Sequence, residues 1–117
     1  MKILVINGHP DSKSFSAAIF EKFVENLDKN KHEIETLELG KMNFDPVLRY
    51  GYREFMAKDE EIEKSQKLIR WADHLVFIYP IWWGGMPSLL KGWIERVFTP
   101  GIAYSSNAKG NFLLNFM

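Results

Sequence analysis

The chain has 117 residues, balances 15 Lys and Arg against 15 Asp and Glu, and contains no cysteine. That length excludes two full domains and gives one compact domain over 1–117. The zero net charge excludes charge-driven binding to nucleic acid or anionic lipid, which needs an excess of basic residues. Without cysteine there is no disulfide framework, thiolate zinc site or cysteine nucleophile, which fits a reducing compartment, and with neither a signal-peptide core nor a membrane-length apolar run a cytoplasmic setting is expected.

Residues 2–7 are a short apolar, β-branched run stopped by Asn7, Gly8, His9 and Pro10. It is too short for a signal-peptide core and predicts a strand buried on both faces, as in a parallel sheet. From Phe15 to Asn26 the apolar positions Ile19, Phe20, Phe23, Val24 and Leu27 recur at helical spacing. His32 to Leu39 alternates apolar and acidic residues and predicts a second strand nearer an edge. Gly40 to Lys58 mixes turn formers with scattered aromatics and predicts a long excursion.

Asp59 is an N-cap candidate for a second helix to Ala72, with Glu60, Glu61 and Glu63 in its first turn and Lys67 and Arg70 near its end, the charge order a helix dipole favours. Leu75 to Tyr79 predicts a third strand closed by Pro80. Pro87 to Phe98 predicts a third helix, with Leu89, Leu90, Trp93, Ile94, Val97 and Phe98 on one stripe and Pro87 near its first position. Asn111 to Met117 predicts a fourth strand. No apolar stretch reaches the roughly 18 residues of a membrane span. Alternating strands and helices give an α/β fold with a parallel sheet, whose ligands bind beyond the carboxyl ends of the strands.

The loop after the first strand, Asn7 to Ser16, has neither the Walker A pattern nor GxGxxG, which disfavours a nucleoside triphosphatase. It sets Ser12, Lys13, Ser14 and Ser16 around a helix N-terminus, where free amides and the dipole favour an anion. The competing reading makes Ser12 or Ser14 an ordinary N-cap and His9 the cap of a backbone group, and Asp11 counts against a nearby phosphate. The loop after the third strand, Tyr79 to Pro87, pairs Trp82 and Trp83 with Gly84 and Gly85. A planar aromatic ligand explains both features, and indoles covering the sheet end or a subunit interface explain them as well. His9, His32 and His74 show no metal-ligand spacing. A receiver-type signalling domain needs acidic residues after the first strand and an Asp after the third, and these are missing.

Three stretches together carry a resemblance: Gly8-His9-Pro10 through Ser14-Phe15-Ser16, then Met42-Asn43-Phe44-Asp45-Pro46-Val47, and Tyr79-Pro80-Ile81-Trp82-Trp83 through Leu90-Lys91-Gly92-Trp93-Ile94-Glu95-Arg96-Val97-Phe98. Over Met1 to about Gly110 the chain resembles the flavodoxin-like NAD(P)H:quinone oxidoreductases, the DT-diaphorase-like family. The resemblance implies an open parallel sheet of order 2-1-3-4 with helices on both faces. It also implies hydride transfer from NAD(P)H to the N5 atom of FMN or FAD, then to a quinone-like acceptor.

His9, Ser14, Phe15 and Ser16 match the family's flavin-phosphate segment, and Pro80, Ile81, Trp82, Trp83 and Gly84 match its ring segment. Tyr104 matches a tyrosine near the quinone, in a pocket completed across a homodimer. No side chain need act as a nucleophile. The family continues with a Thr-Thr-Gly-Gly-like loop, a fifth strand and closing helices, which places this chain as a domain incomplete at its C-terminus. An apolar fourth strand left at the sheet edge then favours a dimer. The alternative is a non-catalytic remnant or regulatory subunit that keeps the fold and dimer surface.

Overall fold

A computed structural model describes residues 1–100 and Ile102, and the backbone of 104–106 and 112–114. The elements are β1 (Lys2–Asn7), α1 (Phe15–Glu25), β2 (Glu33–Glu38), a 3-10 turn (Leu39–Lys41), α2 (Glu60–Trp71), β3 (His74–Ile78), α3 (Ser88–Val97), β4 (Tyr104–Ser106) and β5 (Phe112–Leu114). Strands β2, β1 and β3 form a parallel sheet in that order, with Ile3 beside Ile34 and His74, and Asn7 beside Glu38 and Ile78. This is a flavodoxin-like arrangement, and β2 lies at an edge as its half-polar pattern predicts.

The central strand is buried on both faces because each face carries its own core. Ile3 and Val5 pack with Phe20 of α1, with Val24, Leu27, Ile34, Val76 and Ile78 around them. Leu4 and Ile6 point the other way into a larger core built on Ile62 and Ile69 of α2 and Leu90, Trp93 and Val97 of α3. Alternate side chains of a strand face opposite sides, so one unbroken apolar run supplies both layers.

Helix α1 starts where Ser14, in extended conformation, accepts a hydrogen bond from Ala17 N–H through its Oγ at 3.1 Å, a cap worth about 1 kcal/mol. Asp59 occupies the N-cap position of α2 but does not cap it. Its Oδ2 instead accepts from Asp45 N–H at 2.7 Å and lies 3.7 Å from Arg96 Nη1, so the excursion holds the carboxylate away from its own helix. Pro87 sits at the N-cap of α3, next to its first helical position, as predicted.

The expected fourth strand is a correction. Phe112–Leu114 pairs antiparallel with Tyr104–Ser106 in a separate two-stranded ribbon and does not join β3. Tyr104–Ser106 and Phe112–Leu114 are separated by five residues in sequence, too few for the crossover of about a dozen residues that a parallel pair needs, so these two strands pair antiparallel. Among the described residues the open inner edge of the sheet is therefore that of β3.

Candidate functional site

Parallel pairing sets the carboxyl ends of β1 and β3 side by side: Gly8 N–H donates to Ile78 O at 2.9 Å. The loops leaving these ends meet through His9 and Trp82, whose rings lie edge to face with centroids 5.1 Å apart and planes at 80°. The fold thus unites the two segments singled out in the sequence.

In the first loop, His9 caps a backbone group as its ordinary reading holds: Nδ1 accepts from Asp11 N–H at 2.9 Å. Ser14 is the N-cap, so its hydroxyl is already engaged. Ser16 is buried, and Phe15 turns outward with 81% of its surface exposed. The main-chain N–H groups of Ser12, Phe15 and Ser16 make no hydrogen bond to the described residues. Free amides at a helix start are what an anion needs. Asp11 is less of an obstacle to that anion than its charge suggests, because its Oδ1 is turned onto Lys13 N–H at 2.9 Å.

In the second loop, Trp82 to Gly85 form a tight turn, with Trp82 N–H donating to Gly85 O at 2.8 Å and Gly85 N–H to Trp82 O at 3.0 Å. Both central residues are left-handed, Trp83 at φ 52° and Gly84 at φ 73°. Gly84 accepts this freely, whereas an L-residue there is strained by roughly 1–2 kcal/mol. The strain leaves the Trp83 indole fully exposed, and Ile81 and Trp82 are exposed beside it. The Trp83 indole therefore does not cover the sheet end. A Cβ added at Gly84 or Gly85 would meet nothing within 4 Å, so the backbone there is open to close approach. Pro80 is half-buried at the base of the turn. The Tyr104 side chain lies outside the described residues.

The sequence reading missed the supports of this crest. Asn7 is buried, and its Oδ1 accepts from His9 N–H at 3.1 Å. Gly40 packs against the Pro10 carbonyl, where any Cβ would collide with main-chain atoms. Arg96, only 3% exposed, donates to the Asp45 and Ala57 carbonyls and ties the excursion to α3. One signal was available for it: Gly92 and Arg96 share a helix face by i, i+4 spacing, and both meet the excursion, Gly92 against Pro46.

The crest is open, walled by the two loops. Concave surfaces also lie along the outer face of α1 at Phe15, Ile19 and Phe23, around the excursion, and between Pro46 and Met86. Among the described residues there is no group of three or more metal-ligating side chains, and no helix is long and apolar enough to cross a membrane. The profile of the flavodoxin-like fold family, Flavodoxin_2, matches residues 1–115.

The chain belongs to that family. A crystal structure of the Streptococcus mutans UA159 protein Smu.1420 superposes with a TM-score of 0.81 at 46% identity, over 96% of this chain and 60% of that one. The NAD(P)H:quinone oxidoreductase of Methanothermobacter marburgensis superposes with a TM-score of 0.75 at 36% identity, over 90% of this chain and 57% of that one. NAD(P)H dehydrogenase (quinone) 1 of Cavia porcellus is 34% identical, over 95% of this chain and 49% of its own length. The chain spans about half the length of the curated relatives it matches. This membership agrees with the resemblance drawn from the loops after β1 and β3.

The carboxyl of Asp45, on the excursion, is held below the usual carboxylate range. Its hydrogen bond from Val47 N–H contributes most, desolvation acts the other way, and Arg49 and Arg96 add attraction. A lowered folded-state value stabilises the fold above the unfolded carboxylate value, and that stabilisation is lost as pH falls through the lowered one. Denaturation midpoints of the wild type and Asp45→Asn are therefore expected to differ at neutral pH and converge in acid. A gap that widens in acid would contradict this.

Proposed function

We propose that the chain is one flavodoxin-like unit of a flavin-dependent NAD(P)H oxidoreductase acting on a quinone-like acceptor. The observation that carries the reading is the meeting of two unlike loops at one strand end, free amides on one side and a strained, exposed indole turn on the other. The residues fit a flavin. Phe15 and Ser16 offer unpaired amides to a phosphate, with His9 beside them and Ser14 holding the helix start. Pro80, Ile81, Trp82, Trp83 and Gly84 offer an apolar, backbone-open wall to a flat ring.

A bound FMN or FAD supplies the two-electron redox chemistry that the side chains here do not provide. The chain's own part is to hold and orient: amides place an anion, indoles limit water at the ring wall, and no side chain acts as nucleophile. The NAD(P)H donor and quinone-like acceptor come with this reading from the names of the relatives. A role for Tyr104 near the acceptor comes from the resemblance of its segment, and a cytoplasmic setting is part of the same proposal.

A homodimer belongs to the same proposal. Val47, Tyr50, Tyr52 and Phe55 expose large apolar side chains along the excursion that Arg96 fixes in place, and such a patch marks a contact surface.

Visible absorbance tests the reading. Oxidised-flavin bands that bleach on NADH or NADPH addition are the expected result. A colourless protein that ignores added FMN and FAD would favour a non-catalytic subunit that keeps only the fold. Trp83→Gly is expected to weaken flavin binding roughly 2- to 12-fold, the loss of one ring contact of about 0.5–1.5 kcal/mol, and to leave stability unchanged or higher because glycine relieves the strain. Trp71→Ala, away from the crest, is expected to weaken it less. Equal affinities in a flavin-fluorescence titration would remove Trp83 from the site.

A further inference from the structure

The loop after β1 is closed by side chains that accept backbone N–H groups a few residues ahead. Asn7 Oδ1 accepts from His9 at 3.1 Å, His9 Nδ1 from Asp11 at 2.9 Å, Asp11 Oδ1 from Lys13 at 2.9 Å, and Ser14 Oγ from Ala17 at 3.1 Å. The oxygens keep a lone pair at every ordinary pH. The imidazole does not. Its Nδ1 accepts only while the ring is neutral with the proton on Nε2, and both nitrogens are donors once it is charged. His9 is thus the one link in this series that protonation removes, and it is also the link whose ring touches Trp82 of the second loop.

We propose that the Asp11 N–H to His9 Nδ1 bond is a proton-sensitive latch: the neutral imidazole holds the β1 loop in its anion-accepting shape, and protonation opens it and lowers flavin affinity. The affinity part of this inference rests on the flavin reading above; the latch itself rests on geometry. His9 acts here as a positioning residue. On its own loop the charged side chains are Asp11 and Lys13, and the turn whose Gly40 packs against the main chain of His9 and Pro10 carries Lys41, paired with Glu38 at 3.2 Å. Between Tyr79, whose phenol is titratable, and Met86, the second loop contributes no charged side chain. A bound phosphate by itself would favour a charged imidazole. The latch opposes that attraction, so the sign of the pH dependence separates the two.

The test follows the Asp11 amide and the His9 ring together by NMR in the 117-residue chain as pH is lowered, alongside FMN fluorescence titrations on either side of the ring's midpoint. The Asp11 amide is expected to move with the same midpoint as the ring, with the Nε2–H tautomer above it. FMN affinity is expected to fall about fivefold through that midpoint, the equivalent of one hydrogen bond. His9→Asn, whose Oδ1 keeps an acceptor near the Nδ1 position, is expected to show no such step. An Asp11 amide that stays still while His9 titrates, or FMN affinity that rises as the ring is charged, overturns the latch. Absence of FMN binding at any pH overturns the flavin reading and the affinity part of the proposal, while the Asp11 response still decides the latch itself.

Discussion

Trp93→Ala is expected to lower stability by about 3–5 kcal/mol, the usual cost of removing a large aromatic from a closed core. Trp93 is fully buried between α2, α3 and the sheet, and its ring meets Phe77 and Phe98 edge to face at 6.2 and 5.8 Å. Its Nε1–H also donates to Ser65 Oγ at 3.0 Å, and Ser65 in turn donates to Glu61 O at 2.8 Å, so the indole is satisfied as well as packed. Trp93→Phe keeps most of the packing and loses that one bond, for about 1 kcal/mol. Urea midpoints of the two variants separate the contributions. Equal shifts would mean that the bond, and not the volume, dominates. Since a domain of this size holds only about 5–15 kcal/mol in all, the alanine variant is expected to approach the limit of folding.

Arg96→Ala is expected to cost about 2–4 kcal/mol, because two carbonyls lose their donor where the guanidinium was buried. Those carbonyls belong to Asp45 and Ala57, at either end of the excursion, and Asp59 loses its nearby positive charge. The damage is expected to be local before it is global. Limited proteolysis should cut the Arg96→Ala chain within the excursion, at Arg49, Arg53 or Lys58, well before the sheet. Arg96→Lys places a charge without the planar fork and is expected to recover only part of the protection. Cleavage that begins in α1 or β2 instead would show that Arg96 does not hold the excursion.

Much of the fold was legible because its signals are local. The run from Lys2 to Asn7 reads as a strand buried on both sides, and the acidic start and basic end of α2 marked its two ends before any contact was known. Ser14 and His9 behave as their ordinary readings hold, one as a helix cap and one as a backbone acceptor. Asp59 shows where local reasoning stops. Its position was right and its role was not, since an amide from the excursion bound it first.

What the chain's own pattern decided is the type and order of the main strands and helices from β1 to α3, and that its unusual loops follow β1 and β3; the strand Tyr104–Ser106 was not read from it. Periodicity and turn chemistry report a residue's immediate neighbours. Only the tertiary structure decided that Phe112–Leu114 pairs with Tyr104–Ser106, that Arg96 belongs inside, and that His9 touches Trp82. Those facts depend on which strand lies beside which. That choice is made by burying whole faces at once, and no single stretch of sequence records it.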